Sequence, residues 1–102
     1  MGLHNFKKMK IWLNAIDLCK CVFSVANDFP KSETYGLKAQ INRCVVSVPS
    51  NIAEGSSRSS MKDFSRFLEI SLGSIYELQT QLMLSDYQKF ISLKQMQELE
   101  FK

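Results

Sequence analysis

The sequence predicts a single all-α domain, residues 4–102, folded as an antiparallel up-down four-helix bundle whose fourth helix is short. Two observations support this fold class. With 102 residues, of which 45% are hydrophobic and 23% are charged, the chain has the size and composition of one globular domain. Its apolar residues recur at spacings of three and four, which is the period of a helix with one buried face, and no useful length of strand-like alternation is present.

The first predicted helix runs from about Lys8 to Asn27. It ends before Pro30, because the residue that precedes a proline is pushed out of the helical region. Its apolar stripe comprises Trp12, Ala15, Ile16, Cys19, Val22, Phe23 and Ala26. Such a stripe buries one side of the helix against the rest of the domain.

The second predicted helix runs from about Glu33 to Glu54 and contains Pro49. The proline leaves two outcomes, a helix that ends near Val48 or a helix that bends at Pro49 and continues. The bend is favoured, because the apolar period passes through the proline and Gly55 is a natural C-terminal stop. One apolar stripe comprises Leu37, Ile41, Cys44, Val48 and Ile52, and a second comprises Ala39, Val46 and Ala53. Two stripes bury more surface than one neighbour covers.

The third predicted helix begins at Ser60, which forms a capping-box pattern with Asp63, and runs to about Asp86. Its main stripe comprises Phe64, Phe67, Leu68, Ile75, Leu78 and Leu82, and Ile70, Leu72, Tyr76 and Met83 extend the apolar surface around the helix. Gly73 lies in the middle, where glycine costs about 1 kcal/mol relative to alanine. A close helix–helix crossing is the expected reason for this glycine.

A fourth helix is predicted to open at Ser92, which forms a second capping-box pattern with Gln95. Eleven residues run from Ser92 to the end. They correspond to about 16 Å of helix, against about 40 Å for the third helix. A helix this short covers only part of its neighbours.

Composition and charge argue against several classes of protein. The formal net charge is +3, with +4 in residues 1–60 and −1 in residues 61–102, which is compatible with a basic patch but not with a dedicated basic arm. No zinc site is predicted, because Cys19, Cys21 and Cys44 lack metal-ligand spacing and His4 is distant; Cys19 and Cys44 are expected to be buried thiols. No signal peptide or membrane-spanning stretch is recognisable, which predicts a cytoplasmic protein.

Several motifs occur in the order that is typical of a known family. They are Asn5-Phe-Lys-Lys-Met-Lys-Ile-Trp12, Tyr35-Gly-Leu37, Pro49-Ser-Asn-Ile-Ala-Glu-Gly-Ser-Ser-Arg58, Ser60-Met-Lys-Asp-Phe-Ser-Arg-Phe-Leu68 and Gly73-Ser-Ile-Tyr-Glu-Leu-Gln-Thr-Gln-Leu82. Over residues 4 to about 92, the chain closely resembles the four-helix-bundle family of 23S rRNA intervening-sequence proteins (S23-like). It departs from the family pattern at the end, where the fourth helix is normally longer.

The resemblance implies an up-down bundle that forms a homopentamer, a ring around a central channel. Relatives of the family include the accessory proteins of diversity-generating retroelements, which are basic pentamers that associate with a reverse transcriptase and with nucleic acid. The resemblance therefore implies three kinds of partner: further copies of this chain, RNA or DNA, and a reverse transcriptase. The family name describes where the genes lie, inside inserts of ribosomal RNA, and does not define a biochemical activity.

Polar residues that match the family pattern are interpreted as a polar clamp between the second and third helices. The clamp comprises Asn51, Glu54, Asp63 and Glu77, held by hydrogen bonds and by ion pairs to Arg58 or Arg66. Phosphate contact by the two arginines is the alternative. Catalysis is not predicted and no cofactor is expected, because no motif-placed nucleophile, metal-ligand set or histidine accompanies the carboxylates.

Five cationic residues are the candidates for contact with nucleic acid: Lys38, Arg43, Arg58, Lys62 and Arg66. In a ring of subunits, even one exposed arginine per subunit becomes a ring of charges that can bind phosphate backbones. No groove-reading motif is recognisable, so any binding should depend on shape and charge rather than on base sequence. Trp12 could stack on a base, but its place on the apolar stripe favours the core.

These observations leave two hypotheses of different classes. The first is a non-enzymatic, oligomeric protein that binds structured nucleic acid through a basic surface. The alternative is a protein–protein scaffold with no nucleic-acid role, in which the arginines serve internal or intersubunit ion pairs.

Overall fold

The computed structural model describes residues 5–100, so the predicted domain limits at His4 and Lys102 lie outside the described residues. In chain order, the helical elements are a 3-10 turn at Phe6–Lys8, α1 at Lys10–Asn27, a 3-10 turn at Lys31–Glu33, α2 at Leu37–Ser56, α3 at Met61–Tyr87 and α4 at Leu93–Glu100. The prediction of an all-α fold with four helices and a short fourth helix is confirmed. Within residues 5–100, no helix combines the length and the apolar character needed to cross a bilayer.

α2 is the central helix of the domain. It packs against both α1 and α3, and α4 packs against α1. α1 and α2 run antiparallel, since Ala15 near the start of α1 shares a buried cluster with Ile52 near the end of α2. Further along α1, Val22 shares the larger buried cluster with Ile41 near the start of α2. The molecule measures 46 × 22 × 18 Å, so the helix termini form two well-separated ends.

α1 begins two residues later than predicted and turns a slightly different face to the core. A 3-10 turn precedes it, in which the Asn5 side chain accepts a hydrogen bond from the Lys7 backbone N–H at 3.2 Å. The buried residues of α1 are Ala15, Cys19, Val22, Val25 and Ala26. Phe23 was predicted to be buried but is exposed, because it lies about 100° around the helix from Val22.

α2 begins at Leu37 rather than near Glu33. The segment before it forms a separate 3-10 turn, and the Glu33 carboxylate accepts a hydrogen bond from the Leu37 backbone N–H at 3.0 Å. This side chain thus caps α2 from outside the helix. The predicted second apolar stripe of α2 is incompletely covered, since Val46 is exposed and Ala39 and Ala53 are half-buried.

α2 continues through Pro49, as its apolar period predicted, but it ends at Ser56, so Gly55 is not the C-terminal stop that the sequence predicted. Proline lacks the N–H that would bond the carbonyl of Val45, one turn earlier. The thiol of Cys19 in α1 donates to that carbonyl at 3.3 Å, and both residues are buried. A neighbouring helix therefore supplies the hydrogen-bond donor that the proline removes.

The close approach between α2 and α3 occurs at Gly55 and not at Gly73. A Cβ atom added to Gly55 would lie 2.6 Å from Cβ of Phe67 and 3.0 Å from Cδ1 of Phe64. At Gly73 such a Cβ would meet no side chain and no other helix of the described residues within 4 Å, so the predicted crossing there is wrong. Gly55 lies inside the last turn of α2, where its missing side chain makes room for α3.

The two predicted capping sites begin α3 and α4. Ser60 Oγ accepts a hydrogen bond from the Asp63 backbone N–H at 3.1 Å. Ser92 Oγ accepts from the Gln95 backbone N–H at 3.1 Å, and the Gln95 side chain accepts from the Ser92 N–H at 3.0 Å. The Gln95 amide also donates to the Asp28 carboxylate at 3.0 Å, which ties α4 to the end of α1.

Candidate nucleic-acid interface

The five cationic residues predicted from the sequence do not form one surface. Lys38 lies in the first turn of α2, and Arg43 lies further along the same helix. The helical rise places them about 27 Å and about 20 Å from the end of α2. The other three, Arg58, Lys62 and Arg66, lie in the turn after α2 and in the first two turns of α3. The fold thus brings three of the five together.

Three lysines that were not predicted lie at the same end of the molecule: Lys7, Lys8 and Lys10. They occupy the first 3-10 turn and the start of α1, and this turn packs against α2. Met9 and Trp12 hold the segment in place by packing on the buried cluster that contains Ile52. The basic end is the name used below for Lys7, Lys8, Lys10, Arg58, Lys62 and Arg66.

The sequence contained a signal that could have found these lysines. α1 has 18 residues and α2 has 20. Antiparallel packing of two helices of similar length places the start of α1 beside the end of α2. Cations just before α1 and cations just after α2 must therefore meet, although they are far apart in the sequence.

Charge is concentrated at the basic end. Residues 5–10 and 54–66 together carry six Lys or Arg and two Asp or Glu, a net charge of +4. At the opposite end of the molecule, residues 27–38 and 86–98 carry four of each, a net charge of zero. The two ends are separated along the 46 Å axis, so the positive potential is directed towards one end.

Arg58 has the most defined geometry within the basic end. Its Nη2 lies 3.3 Å from Oε1 of Glu54, one helical turn earlier, and 42% of its side chain is exposed. Its guanidinium carbon lies 4.7 Å from the ring centre of Phe67, a cation–π contact that orients the planar group. An oriented guanidinium with exposed donors is suited to a phosphate oxygen.

Two residues of the predicted polar clamp bond within α2 and the turn that follows it. The Asn51 amide donates to the backbone carbonyl of Ser47 at 2.7 Å. Glu54 pairs with Arg58, one of the two arginines expected for the clamp, but this arginine lies in the turn after α2 and not in α3. In each pair the two residues are four positions apart, so the contact forms between neighbouring turns and does not depend on the position of another helix.

The other two residues of the predicted clamp bond within α3. The backbone N–H of Asp63 donates a hydrogen bond to the hydroxyl of Ser60, the N-cap residue of α3. Glu77 accepts a hydrogen bond from the Gln81 amide at 3.3 Å. The clamp therefore needs correction, because in the described residues the bonds of its four members do not run between α2 and α3.

Small side chains make the polar contacts between α2 and α3 instead. The Ser71 hydroxyl donates to the Val48 carbonyl at 2.9 Å. The hydroxyls of Ser47 and Ser74 share a hydrogen bond of 2.7 Å. The Cys44 thiol donates to the Ser74 carbonyl at 3.1 Å. Short side chains allow the two backbones to approach closely while their polar atoms stay paired.

The buried thiols are structural groups. Burial raises the pKa of Cys19 and of Cys44, and the negative charge of Glu77 raises that of Cys44 further. Both sulfurs are therefore held as neutral donors at neutral pH. Among residues 5–100, no three His, Cys, Asp or Glu side chains come together as a metal site requires.

A groove of about 560 Å³ lies between α1 and α3, with α2 as its floor. Eight of its eleven lining residues are apolar, among them Ile11, Leu18, Val48, Leu68 and Ile75. Its three polar lining residues are Asn14, Asp17 and Ser71, so the groove can hold an apolar surface but offers no cation to the phosphate backbone of a nucleic acid. The basic end is therefore the candidate interface.

The basic end and the helices that support it fall within the part of the chain that matches a known family. No curated protein matches the chain. The family described as 23S rRNA-intervening sequence protein matches residues 7–102, which include α1, α2, α3 and α4. The chain therefore belongs to the 23S rRNA-intervening sequence protein family.

Proposed function

We propose that this protein is a non-enzymatic, oligomeric protein that binds structured RNA or DNA through the basic end. The observation that carries the proposal is the convergence of six cations from two distant segments on one end of the molecule, with a local net charge of +4. Phosphate backbones bind such surfaces by releasing their condensed counterions.

Two further features of the basic end favour an anionic ligand. The N-termini of α1 and α3 both lie there, so the positive ends of two helix dipoles add to the side-chain charge. Exposed Ser57, Ser59 and Ser60 line the turn between α2 and α3. Serine hydroxyls and backbone N–H groups are frequent donors to phosphate oxygens.

The proposed mode of binding is by shape and charge. The basic end is formed by a turn and by helix termini, and it does not present a helix flank that could enter a major groove. A homo-oligomer, such as the five-membered ring that the sequence resemblance implies, would carry several basic ends and bind a folded nucleic acid more tightly than one subunit does.

A titration with matched charge reversals tests this proposal. A fluorescently labelled RNA hairpin and the equivalent DNA hairpin are titrated with the wild-type protein and with the double variant Lys62→Glu/Arg66→Glu. Both residues are exposed, so the fold should be retained. We expect the affinity to fall as salt rises from about 50 to about 200 mM, and to fall about tenfold or more in the variant.

The control is the double variant Lys31→Glu/Lys94→Glu, which changes the net charge equally at the opposite, exposed end. Its affinity should stay within about threefold of wild type, because a Debye length of about 8 Å screens charges at that distance. Equal losses in both variants would contradict a localised site. Binding that does not depend on salt would contradict the electrostatic mechanism.

A scaffold with no nucleic-acid role is the second candidate, and the exposed apolar surface favours it. Thirteen large hydrophobic side chains are exposed in the described residues. Contiguous exposed apolar surface is typical of protein–protein contacts. This candidate predicts that the protein self-associates or binds a protein partner while neither hairpin is bound at any salt concentration.

A further inference from the structure

The guanidinium group of Arg58 lies on the ring of Phe67 at the basic end. Its central carbon is 4.7 Å from the ring centre, and its Nη2 is 3.3 Å from Oε1 of Glu54. The ring covers one face of the planar group, and the carboxylate takes one of the donors on its edge. The side chain is nevertheless 42% exposed. Two contacts therefore orient the guanidinium, while its second face and its free edge stay open to a ligand.

Phe67 is a fixed support for this guanidinium. The residue is half-buried, and its Cβ lies at the close contact between α2 and α3, 2.6 Å from the position that a Cβ of Gly55 would take. The backbone N–H of Arg58 donates to the carbonyl of the same Gly55 at 3.0 Å. The turn that carries Arg58 and the ring beneath it are thus held by one contact of the fold.

The ion pair with Glu54 distinguishes Arg58 from Lys62 and Arg66. Those two side chains are exposed, lie one turn apart in α3, and form no ion pair within the described residues. Their full charge is available to phosphate oxygens. At Arg58, the Glu54 carboxylate offsets part of the attraction for a phosphate, but it leaves the open face of the guanidinium unaffected. The face of Arg58 is therefore suited to a different part of a nucleotide.

An unpaired nucleobase fits the open face of an oriented guanidinium. Proteins commonly stack such bases on aromatic rings and on arginine planes. Inside a duplex the neighbouring base pairs cover both faces of each base, so this contact requires a loop, a bulge or a strand end. Stacking accepts any base, because every base has a π face. It therefore agrees with a surface that has no element for reading a groove.

We propose that Arg58, supported by Phe67, stacks on an unpaired nucleobase, so that the basic end binds a loop, bulge or single-stranded end of RNA or DNA rather than a continuous duplex. Lys62 and Arg66 then contact the phosphates beside this base. The inference rests on the nucleic-acid binding proposed above and specifies which part of the nucleic acid the basic end contacts.

Two labelled RNA hairpins that differ only in their loops test the inference. The loop of one consists of adenosines, and the loop of the other consists of the same number of abasic nucleotides. We expect the wild-type protein to bind the adenosine loop at least about fivefold more tightly, the lower end of the effect of one stacked base. The slope of log Kobs against log salt should be equal for the two hairpins, because they carry the same phosphates.

The variant Arg58→Lys keeps the charge but removes the plane. It should bind the adenosine loop as weakly as the wild type binds the abasic loop, and its affinity for the abasic loop should be unchanged. The matched control is Arg66→Lys, the same substitution at an exposed arginine of the basic end, which should retain the preference for the adenosine loop. Both replaced side chains are exposed, and far-UV circular dichroism should confirm unchanged helix content.

The outcomes separate this inference from the proposed function. Equal wild-type affinity for the two loops, falling with salt, would overturn the stacking and leave the electrostatic binding intact. A wild-type protein that binds neither hairpin at any salt concentration would overturn both. A preference that persists in Arg58→Lys, or that is lost equally in Arg66→Lys, would show that Arg58 is not the stacking residue.

Discussion

At the scale of single residues, two glycines of this protein lie inside helices in opposite environments. Gly55 faces Phe64 and Phe67 at the α2–α3 contact, whereas Gly73 faces open space in the subunit. The same substitution therefore has different costs at the two positions. In an exposed helix interior, alanine is favoured over glycine by about 1 kcal/mol, but a methyl group forced into a filled contact costs about 1–3 kcal/mol.

We predict opposite changes in stability for Gly55→Ala and Gly73→Ala. Gly55→Ala should lower the free energy of unfolding by about 1 kcal/mol or more, because overpacking outweighs the gain in helix propensity. Gly73→Ala should raise it by about 0.5–1 kcal/mol. Urea denaturation at concentrations below those of self-association measures both values. Changes of the same sign would contradict either the close contact at Gly55 or the open space at Gly73.

At the scale of the elements, α2 depends on its neighbour to remain continuous. Pro49 leaves the Val45 carbonyl without its intrahelical donor, and the Cys19 thiol of α1 replaces that donor. Both groups are buried, where an unpaired carbonyl costs about 1–3 kcal/mol. The proline and the thiol are therefore coupled across the α1–α2 interface.

A double-mutant cycle on Cys19→Ala and Pro49→Ala measures this coupling. Cys19→Ala should destabilise the native protein by about 1–3 kcal/mol, since it removes the donor to Val45 and leaves a small cavity. In the Pro49→Ala background the restored backbone N–H pairs the same carbonyl, so Cys19→Ala should cost about 1 kcal/mol less. Equal costs in the two backgrounds would show that the thiol does not replace the missing donor.

The elements also show which features could be predicted from the sequence. Helix number, order and capping at Ser60 and Ser92 follow from local patterns, and these predictions were confirmed. The polar clamp was wrong because each of its residues could bond either within its own helix or across to the other helix, and the sequence pattern did not distinguish the two. Glu54 pairs with Arg58 one turn away, because a local pair costs little additional conformational entropy. Serine side chains, and not the predicted carboxylates, make the polar contacts between α2 and α3.

At the scale of the whole molecule, the position of the charges is more informative than their sum. The sequence suggested a basic N-terminal half, yet the basic end combines residues from both halves. Lys62 and Arg66 come from the half with a net charge of −1, whereas Lys38 and Arg43 of the basic half lie away from it. Charge counted along the sequence could not show this, because the antiparallel packing decides which segments meet.

The lysines before and at the start of α1 provide the last prediction, because the antiparallel packing of α1 and α2 places them at the basic end, the proposed interface. Replacing Lys7, Lys8 and Lys10 by glutamine should reduce the steepness of log Kobs against log salt by about 2–3 for a hairpin ligand, since each phosphate contact contributes about 0.7–0.9. All three side chains are exposed, so the fold should be retained.

The triple variant Lys31→Gln/Lys89→Gln/Lys94→Gln removes the same charge from the opposite end and should leave the slope unchanged. If both triple variants reduced the slope equally, binding would follow net charge rather than the arrangement of the basic end. If neither did, Arg58, Lys62 and Arg66 would bind phosphate without the N-terminal lysines, and the convergence of the two segments would have no role in binding.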